Sequence, residues 1–125
     1  MTMQIIRTPG QSPMLPGTVS VGDLVWTSGL VSPSALAAVA SGADVPARQQ
    51  ISETLALLRS TLDEAGVSVD RVVRVEAFLS AAELVPLWNE LYLEVWPRPG
   101  PARITLVAGF VSPAIHFELI ATAAR

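Results

Sequence analysis

Between Pro46 and Gly66 the chain carries one stripe of large apolar residues, Ile51, Leu55, Leu58 and Leu62, recurring at intervals of four, three and four. That period is helical, and a proline at the start with a glycine at the end marks its limits. Asp44 stands where an N-cap would be expected. The period then changes: Val73, Val75, Ala77 and Leu79 alternate within Arg71 to Ser80, as in a strand with one buried face. A second helix is expected from about Ala82 to Trp96, with Ser80 and Glu83 as a capping box and Pro86 held to the first turn. A strand between two helices restricts the fold to an α+β layer in which that strand pairs in parallel through crossovers.

Other segments fill in the sheet. Residues 3 to 7 read as a first strand, and the Pro- and Gly-rich stretch from Pro9 to Gly17 as a loop. Thr18 to Val21 and Asp23 to Ser28 form a hairpin about the turn pair Gly22-Asp23. Residues 31 to 43 are small and without period, and are left unassigned as a candidate flap. Pro97 to Pro101 ends the second helix, and two strands follow, Arg103 to Ala108 and Ala114 to Ala123. The expected order is β-β-β-α-β-α-β-β, a single domain over residues 1–125 with a mixed six-stranded sheet and two helices on one face. No helix remains for the other face, so another copy of the chain is expected to cover it.

Composition agrees with that expectation and narrows the chemistry. Half of the 125 residues are hydrophobic and 15% are charged, an apolar balance for a small monomer. No apolar run approaches the roughly 18 residues of a membrane span, and the N-terminus lacks a basic-then-apolar leader pattern, so a cytoplasmic protein with no membrane partner is expected. There is no cysteine, which removes thiolate nucleophiles and disulfides. All eight basic residues are arginine, so no lysine can form a Schiff base. One histidine, His116, cannot build a multi-histidine zinc site, and neither a metal nor another cofactor is expected. A net charge of −3 with scattered arginines gives no footprint for nucleic acid.

Two charges in the last strands stand out. Arg103 lies in Pro101-Ala102-Arg103-Ile104-Thr105, and Glu118 in His116-Phe117-Glu118-Leu119-Ile120. A guanidinium is a planar fork that grips a carboxylate through two hydrogen bonds, whereas a carboxylate among apolar residues can accept a proton or hold a water. Together they suggest a site for a small carboxylate, although the same charges could simply pair with each other or with solvent. His116, of the same strand parity as Glu118, is either an additional proton donor or a surface residue. Asn89 is either a cleft residue or a partner for backbone groups. Trp26, Trp88 and Trp96 are assigned to packing.

Several ordered stretches are similar to the Rid family of imine and enamine deaminases, also called the YjgF/YER057c/UK114 family. Gly22-Asp23-Leu24-Val25-Trp26-Thr27-Ser28-Gly29 resembles its GDLVYVSGQ strand, and Ile51 through Gly66 its first helix ending in EAAG. Asp70-Arg71-Val72-Val73-Arg74-Val75 resembles DDVVKVTVYL, and Trp88-Asn89-Glu90-Leu91-Tyr92 resembles VNEVY. Pro101-Ala102-Arg103 with Val107-Ala108-Gly109 and Glu118-Leu119-Ile120-Ala121 are similar to PARSTVEVAGL and EIEAIA. The resemblance implies a chorismate-mutase-like homotrimer with sites between subunits and no cofactor. It further implies that Arg103 holds the carboxylate of a 2-imino acid while Glu118 positions the hydrolytic water. Ser28, Gly29, Asn89 and Thr105 are then substrate-binding candidates.

Departures from the family pattern fall in the same region. Leu15 stands in place of a tyrosine, Leu30 in place of a glutamine, Thr105 where several members carry cysteine, and Ile120 in place of a second glutamate. Leu15 and Leu30 make the implied cleft more apolar, which suits a hydrophobic substrate. Two other uses of the same cleft remain open: a condensation, cyclisation or dehydration of another carbonyl or imine substrate, and ligand capture without catalysis.

Overall fold

A computed structural model describes residues 2–125. The strands are β1 (Ile5–Ser12), β2 (Leu15–Val21), β3 (Leu24–Thr27), β4 (Val72–Leu79), β5 (Ala102–Val107) and β6 (Phe117–Ala124), and the helices α1 (Pro33–Ser41), α2 (Ala47–Glu64) and α3 (Val85–Val95). All six strands join one sheet in the order β1-β2-β3-β6-β4-β5. β4 runs parallel to β5 and antiparallel to β6, and the remaining pairs are antiparallel. A mixed six-stranded sheet is therefore present as expected, with three helices rather than two.

The α2 stripe explains the core. Ile51, Leu55, Leu58 and Leu62 pack against Val25, Val75, Leu79, Phe117 and Leu119 from the sheet, and α3 adds Trp88 and Leu91. Burying each such side chain contributes about 1.5–3 kcal/mol. Strand alternation then assigns the faces: Phe117, Leu119, Ala121 and Ala123 of β6 are buried against the helices, while Glu118, Ile120, Thr122 and Ala124 point away. That far face carries Trp26, Ile104 and Leu106, which are 39%, 40% and 47% exposed, so Trp26 does not belong to the core.

Four local expectations are corrected. The segment from Pro9 to Gly17 is the turn end of the β1–β2 ribbon, with Pro9 facing Pro16 and Ser12 facing Leu15. Proline is tolerated there because β1 is an edge strand with register shifts on either side of Pro9. Residues 33–41 form α1, with Ser32 as N-cap and Pro33 opening the first turn. Asp44 does not cap α2: Pro46 precedes it without a side-chain cap, and buried Gln50 donates from Nε2 to Val45 O at 3.0 Å and Ala114 O at 2.9 Å. Nor do Ser80 and Glu83 form a capping box, since Ser80 Oγ bonds His116 Nδ1 at 2.9 Å and a 3-10 turn, Ala82–Leu84, precedes α3.

What holds α1 in place is an acid on α2. The Glu53 carboxylate accepts from Ser32 Oγ at 2.8 Å, Ser34 N at 3.1 Å, Ser34 Oγ at 2.8 Å and Gln49 Nε2 at 2.7 Å. Hydrogen bonding, from Gln49 foremost and then from Ser34 and Ser32, outweighs burial and holds the carboxyl at about 2.

Candidate active site

One candidate cluster is built on the β5 edge. Because Arg103 pairs with buried Val75 of β4, its side chain rises on the helix side of the sheet, where α3 meets it. The guanidinium carbon lies 4.6 Å from the Tyr92 ring centroid and 5.7 Å from that of Trp88. Nη2 donates to Asn89 Oδ1 at 2.7 Å. The aromatic quadrupoles favour the cation and the amide fixes its rotation. Burial pushes the Tyr92 phenol up, and the Arg103 charge opposes that shift. Two positions along β5, Thr105 Oγ1 accepts from Trp88 Nε1 at 3.1 Å. Asn89, Tyr92, Leu93 and Arg103 line an open hollow of about 330 Å³. Among the described residues the ion pairs join Arg48 to Glu90 and Arg74 to Glu76, so Arg103 meets no carboxylate. Most of its five N–H donors remain available to an anion.

A second candidate cluster lies at the end of β3. Backbone bonds between Leu30 and Leu119, at 2.8 and 3.0 Å, carry the pairing past Thr27 and lay Gly29 beside Glu118. Glycine at position 29 leaves room for that approach, because a Cβ there would overlap the Glu118 carboxylate where it now lies. Burial raises the Glu118 carboxyl above the ordinary glutamate range. A carboxylate with higher proton affinity is a better base toward water. Ser28 is a brace, donating its hydroxyl to Pro16 O at 2.7 Å and its amide to Gly17 O at 3.1 Å. Leu15, Ser28, Gly29 and Leu30 share the walls of a cavity of about 160 Å³ between the ribbon and α2.

The residues singled out in the sequence thus fall into two clusters. Arg103, Asn89 and Thr105 belong to one, and Leu15, Ser28, Gly29, Leu30 and Glu118 to the other. Register puts Arg103 on the helix side and Glu118 on the far side, so within one chain they form no ion pair. His116 shares Glu118's parity but precedes β6, and its ring is tied to Ser80. Asn89 serves the guanidinium rather than backbone groups.

Tyr92 and Trp88 were missed as partners of the arginine, although their four-residue spacing on α3 puts both on one helix face. Leu57 and Thr61, also four apart, were missed as cavity walls.

A family model described as endoribonuclease L-PSP matches residues 11–125. The chain belongs to this family, which is the YjgF/YER057c/UK114 family. Among curated relatives, the mitochondrial protein mmf2 of Schizosaccharomyces pombe is 38% identical over 68% of this chain and 69% of its own length. Mitochondrial mmf1 of the same yeast is 31% identical over 78% of the chain and 61% of its own length. A structure of unknown function from Pseudomonas aeruginosa superposes with a TM-score of 0.85 at 20% identity, over 98% of this chain and 94% of that one. A YjgF-family structure from Neisseria meningitidis gives 0.82 at 22% identity, over 98% and 96%. Both share the fold of this chain. No helix among the described residues is long and apolar enough to cross a membrane.

Proposed function

We propose that this chain hydrolyses 2-imino acids or their enamine tautomers to 2-keto acids and ammonia, in a homotrimer whose sites join Arg103 of one copy to Glu118 of the next. The observation that carries the reading is the Arg103 guanidinium, held between Tyr92, Trp88 and Asn89 with no carboxylate of its own. A bidentate charge-assisted pair with a substrate carboxylate contributes about 1.5–3 kcal/mol and fixes the adjacent C=N carbon. Glu118, with its raised proton affinity, takes a proton from water as the oxygen adds to that carbon. Glu118 passes that proton to the nitrogen, giving a carbinolamine. Glu118 then takes the proton of the new hydroxyl and delivers it to the nitrogen as the C–N bond breaks, so that the carbonyl forms, ammonia leaves and Glu118 ends ionised. The apolar far face supports assembly, since a head-to-tail contact that closes at three buries it around an axis.

The description endoribonuclease names an activity on RNA, which a chain of net charge −3 is poorly equipped to attract. A cysteine-free chain suits the cytoplasm, the compartment we assign, and equally the mitochondria named for the yeast relatives.

The test generates imines in place with an amino-acid oxidase, traps them with semicarbazide, and measures diversion to keto acid. Arg103→Ala and Glu118→Gln should each be inactive. Mixed in equal amounts and reassembled, they should regain about a quarter of the wild-type rate, because random neighbours restore one site in four. Failure of the wild-type protein to divert any imine would overturn the reading. Undiminished activity of Glu118→Gln would remove the acid from it, and retained ligand binding without any turnover would leave a capture protein. An RNA substrate cleaved under the same conditions would support the ribonuclease description instead.

A further inference from the structure

We infer that the cavity between the β1–β2 ribbon and α2 is the side-chain pocket of this site, that it takes a branched aliphatic or phenyl group, and that Leu57 and Thr61 set its depth. The nature of the molecule carrying that group rests on the deaminase reading; the cavity's preference does not.

Size is the first argument. At about 160 Å³ the cavity matches the roughly 150 Å³ apolar void known to admit benzene, and exceeds what a methyl group needs. Its chemistry agrees: Leu15, Leu30 and Leu57 provide hydrocarbon walls, with Thr61 one helical turn beyond Leu57. Position is the third argument. Gly29 lines the cavity, and a Cβ on it would meet the Glu118 carboxylate, so a single glycine stands between the cavity and the acid.

The walls are also preorganised. Gln11 pairs its side-chain amide with both backbone groups of Val31, donating from Nε2 to the carbonyl at 2.7 Å and accepting at Oε1 from the amide at 3.3 Å. Ser28 holds Pro16 from the opposite strand. The ribbon is thereby fastened over α2, and a ligand entering does not have to order it. The floor is Leu30, 2% exposed and bonded in both directions to Leu119.

The experiment titrates the protein calorimetrically with three 2-oxo acids that differ only in side chain: pyruvate, 4-methyl-2-oxopentanoate and phenylpyruvate. From the burial of three or more extra carbons, the larger acids are expected to bind on the order of 10- to 50-fold more tightly than pyruvate. Leu57→Trp, which fills the cavity, should bring that ratio to near one. Thr61→Leu, a smaller change, should reduce phenylpyruvate affinity more than that of the isobutyl acid, and serves if the tryptophan variant does not fold.

Equal binding of all three acids, no measurable binding of any, or a preference untouched by both variants would overturn the pocket. Binding is read without turnover, so the two ideas fail separately. A side-chain preference with no imine hydrolysed sinks the deaminase reading and keeps the pocket. Hydrolysis together with flat binding across the three acids does the reverse.

Discussion

Thr105→Val tests whether the hydroxyl on β5 belongs to the protein or to the ligand. In the structure its oxygen is the hydrogen-bond acceptor of Trp88 Nε1, and Trp88 is 0% exposed. Valine keeps the shape and removes the acceptor, leaving an indole N–H without a partner. An unmet buried donor costs about 1–3 kcal/mol. Thr105 is itself half-buried, so water can reach part of the gap, and the lower end, about 1–2 kcal/mol, is expected. For a chain of this size that is about 3–8 °C in melting temperature. Thr105→Ser keeps the acceptor and loses one methyl, worth about 0.8 kcal/mol or less because the site is only half-buried. Urea unfolding at fixed protein concentration, followed by tryptophan emission, should therefore rank wild type above serine and serine above valine. A valine variant as stable as wild type, with serine the weaker of the two, would refute the reasoning. The hydroxyl would then be free for substrate, as the sequence resemblance implied.

Other substitutions probe the remaining contacts. Gly29→Ala forces the mobile end of Glu118 to swing aside, and should cost about 1 kcal/mol or less in stability but most of the turnover, checked by unfolding and the imine assay. Tyr92→Leu removes the ring beside the guanidinium, and losing about 0.5–1 kcal/mol should weaken carboxylate binding two- to fivefold in calorimetry, whereas Tyr92→Phe should not. Burial of Glu118 favours its protonated form in the folded state, so its contribution to stability is present below the ordinary value of 4.5 and is lost as pH rises through the raised folded value. Glu118→Gln should flatten that fall in unfolding free energy above pH 4.5, and an unchanged pH profile would contradict the burial. Glu53→Ala removes the acceptor that Ser32 and Ser34 share, and should speed hydrogen exchange of the α1 amides while leaving those of β4 protected.

The elements legible in the sequence are those whose pattern is set by one period and one pair of punctuating residues. α2 shows its stripe between Pro46 and Gly66, β4 alternates, and Gly22-Asp23 turns β2 into β3 with Gly22 at φ 57. α1 lacked a stripe because only Ala35 and Ala38 are buried, and its fastening comes from Glu53, in another helix. Its local signals, Ser32-Pro33 and Gly42 at φ 74, were present but outweighed by monotonous composition. The ribbon was missed because Pro9 and Gly10 read as strand breakers unless the strand is known to be an edge. Ser80 was misassigned because its true partner, His116, lies 36 residues away. Arg103 and Glu118 were recognisable as functional candidates, but not their separation, which follows from register.

That separation bears on how the fold could carry a site. β5 is parallel to β4 and β6 antiparallel to it, so the face of each charge is fixed by its partner on β4: Arg103 follows Val75, which is buried, and Glu118 follows Phe78, which points away. Moving Glu118 to the other face needs a one-residue slip of β6, which would turn Leu119 and Phe117 out of the core, whereas a slip of β5 would take Thr105 away from Trp88 Nε1. Hydrophobic burial therefore fixes the face of Glu118, and the contacts of Thr105 and Arg103 with α3 fix that of the arginine. Glu118 shares its face with exposed Trp26, Ile104 and Leu106, and Arg103 stands on the β5 rim, where a neighbouring molecule can approach. If both charges act on one substrate, assembly must supply the missing partner, and the apolar face supplies the energy for assembly. On that account the exposed apolar residues of this face are the ones that complete the proposed chemistry, and a charge placed at Leu106 should reduce oligomerisation and turnover together.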